Sequence, residues 1–89
     1  MNEINSLFEQ AGAAAKSLPE RPDNDTMLQL YALYKQGSVG DVSGSKPGMF
    51  DFVAAAKYEA WERFKGVSQE SAQKQYIDLV KSLGGTFGD

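Results

Sequence analysis

Apolar residues recur along this chain at helical spacing. Ile4, Leu7, Phe8, Ala11, Ala15 and Leu18 fall on one face of a helix over residues 4 to 18. The AGAAA run inside it permits close packing, at some loss of helix stability from Gly12. Pro19 and Pro22, in SLPERPDND, end the segment, because a proline turns the residue before it away from helical geometry. Asp23 or Asn24 then caps a second helix, with Asp25 favourable near its positive end. Met27, Leu28, Leu30, Tyr31, Leu33 and Tyr34 give it a broad apolar arc, and Gly37 and Gly40 mark its end. The loop GDVSGSKPGMFDF follows, with Lys46-Pro47-Gly48 as its turn signal.

A third helix runs from Asp51 or Phe52 to Lys65 and stops at Gly66. Lys57 and Trp61 share a face of it with Phe64 or Lys65. Ser68 caps a fourth helix, and Val67 is placed to pack on Ala72 as a hydrophobic staple. Ala72, Tyr76, Leu79, Val80 and Leu83 form its inner stripe, joined by Ile77, and Gly84-Gly85 closes it. No segment alternates as a strand does. The pattern predicts an all-α bundle of four helices. The longer second connection means that the second and third helices need not be antiparallel neighbours.

At 89 residues the chain is read as one domain, 1–89. A domain of this size buries only about 60–65% of its unfolded surface, which favours an open groove over a sealed cavity. A hydrophobic fraction of 42% excludes a disordered chain. Cysteine and histidine are absent, so there is no thiol nucleophile and no imidazole base or ligand. Metal binding would fall to carboxylates, and these are scattered. A net charge of −3 speaks against nucleic acid. No apolar run approaches a membrane span, and MNEINS lacks the features of a signal peptide. The expectation is a soluble, cytoplasmic protein, and the lack of cysteine fits a reducing compartment.

Candidate chemistry concentrates in YALYKQGSVGD, residues 31 to 41. Its glycines follow a helix, whereas a phosphate loop opens one, and no GK[ST] completes that pattern. A helix stop and hinge is the better reading. Tyr31 and Lys35 lie four apart on one helical face, with Tyr34 beside them. As residues alone they read first as a buried tyrosine pair with a solvated lysine. The second reading is a site for a ligand partly aromatic and partly anionic. Lys57, among Ala54, Ala55, Ala56 and Tyr58, and Lys16, after three alanines, read as lysines lying along apolar edges. Tyr76 reads as core packing. Glu59 and Glu62 read as solvated, with Glu59 and Arg63 a weak local pair, and no two carboxylates are set for acid–base work.

Taken together, YALYKQGSVGD, KPGMFDFVAAAKYEAW and QKQYIDLVKSL closely resemble the acyl-CoA-binding protein family, roughly from Phe8 to Leu83. The resemblance implies a four-helix up-down-down-up bundle with a shallow bowl on one side. It implies binding of long-chain acyl-CoA without catalysis, and no cofactor besides that ligand. Tyr31 and Lys35 match the family's contacts to the nucleotide phosphate, with Tyr34 beside them. Lys57 matches a lysine that reaches the 3′-phosphate, Tyr76 a tyrosine near the adenine, and Lys16 a basic rim position. Met27 and Leu28 match neighbours of the acyl chain, and Trp61 matches a core tryptophan. The implied role is a monomeric intracellular carrier and pool former, with no membrane insertion and with acyl-CoA-using enzymes as candidate partners. Departures include Val53 and Ala55 where many members carry lysine, Tyr58 for tryptophan, and Gly12 for alanine. Two rivals are a helical protein-interaction module using the same aromatic groove, and an enzyme acting on acyl-CoA. The missing histidine and cysteine count against the latter.

Overall fold

The computed structural model describes residues 3–48 and 50–88, so Met49 of the KPGMFDF turn lies outside the described residues. These form four α-helices and, among the described residues, no strand: α1 over Glu3–Ala14, α2 over Asn24–Ser38, α3 over Phe52–Glu62 and α4 over Gln69–Ser82. Side chains cap three of the starts. Asp23 Oδ1 accepts from Thr26 N at 2.8 Å, Asp51 Oδ1 from Ala54 N at 3.1 Å, and Ser68 Oγ from Ser71 N at 3.0 Å. Each bond satisfies a backbone donor that the helix cannot pair internally.

Two helices end earlier than their apolar pattern predicts. α1 gives way at Ala14 to a 3-10 turn, Ala15–Ser17, ahead of the prolines. α3 stops at Glu62 rather than Lys65, where Phe64 N bonds Trp61 O and Lys65 N bonds Glu62 O in a tightened last turn. α2 does the opposite and runs through Gly37 to Ser38. Gly37 is therefore not a stop. It is buried, and a Cβ there would lie 3.0 Å from both Gln73 Cγ and Phe8 Cζ, so it lets α1 and α4 close on α2. Gly40 carries the stop, with φ of +99° and an N–H donated to Gln36 O at 3.2 Å.

Paired contacts give the helix directions. Phe8 packs on Tyr76, and Leu18 and Pro19 lie against Gly85 and Gly84, so α1 and α4 run parallel. Tyr34 meets Tyr76 and Gly37 O accepts from Gln73 Nε2, so α2 runs against α4. Lys57 stands over Tyr31 and Lys35 over Trp61, which makes α2 and α3 parallel. This is the up-down-down-up order that the family resemblance implies.

Phe8, Ala11, Leu30, Leu33, Ala72, Tyr76, Ile77 and Val80 bury one core between α1, α2 and α4. Ala32, Ala60 and Trp61 bury a smaller one between α2 and α3. The Trp61 indole Nε1–H donates to Gly40 O at 2.8 Å, so the buried ring has its polar edge paired.

Two buried glutamines hold the bundle ends. Gln73 Nε2 bonds Gly37 O at 2.9 Å. Gln36 Nε2 donates to Asp41 Oδ1 and to Val67 O, both at 2.8 Å, and the same carboxylate oxygen accepts from Gly66 N at 2.8 Å. Asp41 thereby ties the exit of α2 to the α3–α4 turn. The Gly66 N–H, with the Gln36 amide next, holds the Asp41 carboxyl below the usual carboxylate range. The loop between α2 and α3 is pinned onto α3 by Tyr58 Oη donating to Gly44 O at 3.2 Å and by Lys46 Nζ at 2.7 Å from Glu59 Oε2. Glu59, still about half exposed, thus pairs with a lysine of the loop, with Arg63 a weaker neighbour.

Candidate functional site

The backbone spans only 15 Å along its shortest axis, the depth of two helix layers packed about 8–10 Å apart with no room for a sealed cavity between them. A ligand-sized space must therefore open at the surface. A groove of about 1130 Å³ does so on the face shared by α1, α2 and α3, with Tyr76 of α4 reaching its floor. Its walls are mainly apolar, from Ala13, Ala15, Met27, Leu28, Leu30, Phe52, Val53 and Ala56, and Lys16, Arg21 and Lys57 supply positive charge.

Three rings, each from a different helix, cluster behind the groove, and two of them, Tyr34 and Tyr76, line it. Phe8 stacks on Tyr34 with centroids 5.1 Å apart, Tyr76 meets Phe8 edge-on at 5.3 Å, and Tyr34 meets Tyr76 at 5.6 Å. Such offset and edge-on geometries let the positive edge of one ring meet the negative face of the next. Gly12 makes room for them, since a Cβ at that position would lie 3.3 Å from Tyr34 Cε1. Tyr76 is buried yet still borders the groove. Burial, and secondarily the nearby Tyr34, raises its phenol above the usual range, so it stays a neutral donor. Tyr34 is exposed and Tyr31 half-buried, so the two are not the buried pair of the first reading.

Lys57 Nζ lies 5.2 Å from the Tyr31 centroid across the groove. Lys35 Nζ lies 5.1 Å from the Trp61 centroid, and Lys35 is not part of the groove lining. The structure thus gathers Lys16, Met27, Leu28, Tyr31, Tyr34, Lys57 and Tyr76 around one space and sets Lys35 one helical turn beyond Tyr31, beside it. Arg21 and Asn24 also line the groove and were not singled out from sequence. They sit where the α1–α2 connection delivers them, and the path of that connection leaves no periodic signal. No group of histidine, cysteine or carboxylate side chains able to hold a metal ion occurs among the described residues. Among the described residues, no helix is long and apolar enough to cross a membrane.

Residues 5–80 match the family model described as acyl CoA binding protein. The chain is 50% identical over 80 residues to an acyl-CoA-binding protein of Saccharomyces cerevisiae, covering 90% of this chain and 92% of that one. It is 48% identical over 81 residues to acyl-CoA-binding protein homolog 1 of Caenorhabditis elegans, covering 91% and 94%. Among solved structures, Oryza sativa acyl-CoA-binding protein 2 superposes with a TM-score of 0.86 at 40% identity, covering 90% of this chain and 89% of that chain. The yeast acyl coenzyme A binding protein superposes at 0.72 with 51% identity, covering 89% and 92%. With its bundle, its groove and these likenesses agreeing over most of its length, the chain belongs to the acyl-CoA-binding protein family.

Proposed function

We propose that this protein binds long-chain acyl-CoA thioesters without catalysis and serves as an intracellular carrier and pool former for them. One observation carries the reading: an open groove lined mainly by apolar side chains also presents cations and phenols. Lys57 and Tyr31 face each other, and Met27 and Leu28 lie about one helical turn away on α2. Coenzyme A thioesters combine the same features, with an aromatic purine and several phosphate charges joined to a long apolar chain.

Lys57, Lys16 and Arg21 supply the charge that a phosphate group needs, acting locally because salt screens the overall −3 beyond about 8–10 Å. Tyr31, Tyr34 and Tyr76 offer ring faces and hydroxyl donors to the purine and its phosphates. Lys35 joins them if its ammonium leaves the buried Trp61 ring, a contact worth about 0.5–2 kcal/mol. The headgroup anchors the ligand, and the acyl chain adds at most about 0.8 kcal/mol for each methylene buried. The groove works as a monomer, in the cytoplasm, and hands its ligand to acyl-CoA-using enzymes.

Calorimetric titration with hexadecanoyl-CoA and with free coenzyme A tests the reading. The thioester should bind more tightly than the free thiol, and incubation should leave the thioester bond intact. Failure to bind the thioester would sink the proposal, and its hydrolysis would turn it toward an enzyme.

A further inference from the structure

A second hollow, of about 560 Å³, adjoins the groove where α1, α2 and α4 meet, with Phe8 and Tyr34 in its wall. Its charge is the opposite of the groove's. The groove gathers Lys16, Arg21 and Lys57, whereas no lysine or arginine lines the hollow and the carboxylates of Glu9 and Glu70 do. Neither carboxylate makes an ion pair among the described residues. The deciding group is Gln73, which lines the hollow yet is only 8% exposed. Its amide bonds Gly37 O at 2.9 Å, and a carbonyl only accepts, so the bonded end is the NH2. The free end, Oε1, has no donor among the described residues. It is not sealed from solvent, unlike the unpaired Gln36 Oε1. Gln73 thus holds a fixed, unpaired acceptor at the hollow. Ser38 Oγ donates to Tyr34 O at 2.7 Å, which leaves its lone pairs as a further acceptor. The last turn of α2 and the first of α4 border the hollow with dipoles of opposite sense, so the side chains decide its sign.

The geometry points to this hollow as a second binding site, separate from the groove, for a guanidinium group. Gln73 Oε1, Ser38 Oγ and the two carboxylates are all acceptors, and they call for a ligand that only donates. A guanidinium brings five N–H donors spread in one plane, enough to serve several acceptors at once. It is also more weakly hydrated than an ammonium, so it loses less on lying against the apolar wall of Phe8 and Tyr34. The carboxylates supply the attraction, and the Gln73 amide, held by Gly37 O, supplies a partner that needs no reordering. Such a group can come as a small free guanidine or as an arginine side chain of another protein. The site does not depend on what the groove binds.

Amide NMR titrations of the ligand-free protein with methylguanidinium, with acetyl-Gly-Arg-Gly-amide and with butylammonium, all at one ionic strength, test it. Both guanidinium probes should give saturable shifts at Gly37, Ser38 and the Gln73 side-chain NH2, and butylammonium should bind more weakly. Tighter binding of the peptide identifies the source as an arginine of a partner, and tighter binding of methylguanidinium a small molecule. Glu70→Gln, on an exposed side chain outside the groove, should weaken both by about two- to fivefold, the scale of one exposed ion pair. Gln73→Met keeps the side chain's length without its acceptor and should weaken them too, with a thermal melt to show that the variant is folded. Shifts no larger than sodium chloride produces, or both variants titrating like wild type, would overturn the site. Butylammonium binding as tightly as methylguanidinium would overturn the choice of guanidinium.

Discussion

The ammonium of Lys57 on α3 stands 5.2 Å from the centroid of the Tyr31 ring on α2, so one charge and one phenol face the groove from opposite walls. Lys57 is exposed and makes no ion pair among the described residues, which leaves its charge available to an anion. Lys57→Ala should weaken hexadecanoyl-CoA binding by about tenfold or more, the range of one charge-assisted hydrogen bond. It should also flatten the salt dependence while the fold is retained. Lys35→Ala should have a smaller effect, because its ammonium must first leave Trp61. Titrations at two salt concentrations check both, and equal binding by wild type and Lys57→Ala would remove the phosphate role.

Tyr76 joins packing to recognition. Its ring is in contact with Phe8 and Tyr34, and only 4% of it is exposed. Tyr76→Ala should lower stability by about 3–5 kcal/mol through the cavity left between three helices. Tyr76→Phe keeps the ring and loses the hydroxyl, so it should stay within about 1 kcal/mol in stability while ligand affinity drops. Urea melts and titrations on the two variants separate these effects. A Tyr76→Ala protein as stable as wild type would show that the ring is not part of the core.

At Gly37, alanine would gain about 1 kcal/mol in helix propensity. The added methyl would also crowd Gln73 and Phe8 at 3.0 Å, and overpacking of that kind costs about 1–3 kcal/mol. Neither neighbour moves freely, since Gln73 is bonded to Gly37 O and Phe8 sits among three helices. Gly37→Ala should therefore be destabilised by on the order of 1 kcal/mol, read as a lower thermal midpoint. A higher midpoint would mean that the α2–α4 approach tolerates a methyl group.

Acid should loosen the fold in part through Asp41. Folding holds its carboxyl below the ordinary value, chiefly through the Gly66 N–H and then the Gln36 amide. The unfolded chain therefore takes up this proton first as pH falls. The contribution is complete above the unfolded value of about 3.9 and is lost as pH drops through the lower, folded one. Asp23, bonded to Thr26, and Glu59, bonded to Lys46, act in the same sense. Asp41→Asn can keep both accepted bonds while removing the charge, so its midpoint should fall less steeply with acid than that of wild type. Thermal scans on both sides of about pH 4 check this, and parallel acid limbs would exclude Asp41.

Local pattern was enough for the helices, and distance limited the rest. Asp23 and Ser68 could be read as caps because a cap acts on residues three positions away. Gly37 and Gly40 look alike in sequence, yet one is packed against Phe8 and the other turns the chain, and only the position of α1 distinguishes them. Glu59 had a visible neighbour in Arg63 and an invisible one in Lys46, which the loop brings in. Gln36 and Gln73 carry no mark that sets them apart from surface glutamines until α2 and α4 meet. In the site, the spacing of Tyr31 and Lys35 gave a shared face. Four residues on an α-helix still differ by about 40° around its axis, enough for Tyr31 to meet Lys57 and for Lys35 to meet Trp61.

The parallel contact of α1 with α4 also bears on how the chain finds its shape. Phe8 and Tyr76, nearly at opposite ends of the sequence, must meet before the main core can close. Loop-closure entropy rises only with the logarithm of the loop, so the equilibrium penalty is modest. Kinetically, contacts between distant segments slow folding relative to bundles in which each helix packs on the next. The bundle is thus topologically less local than its helix content suggests, and the seam between its first and last helices is where folding speed should be most sensitive to substitution.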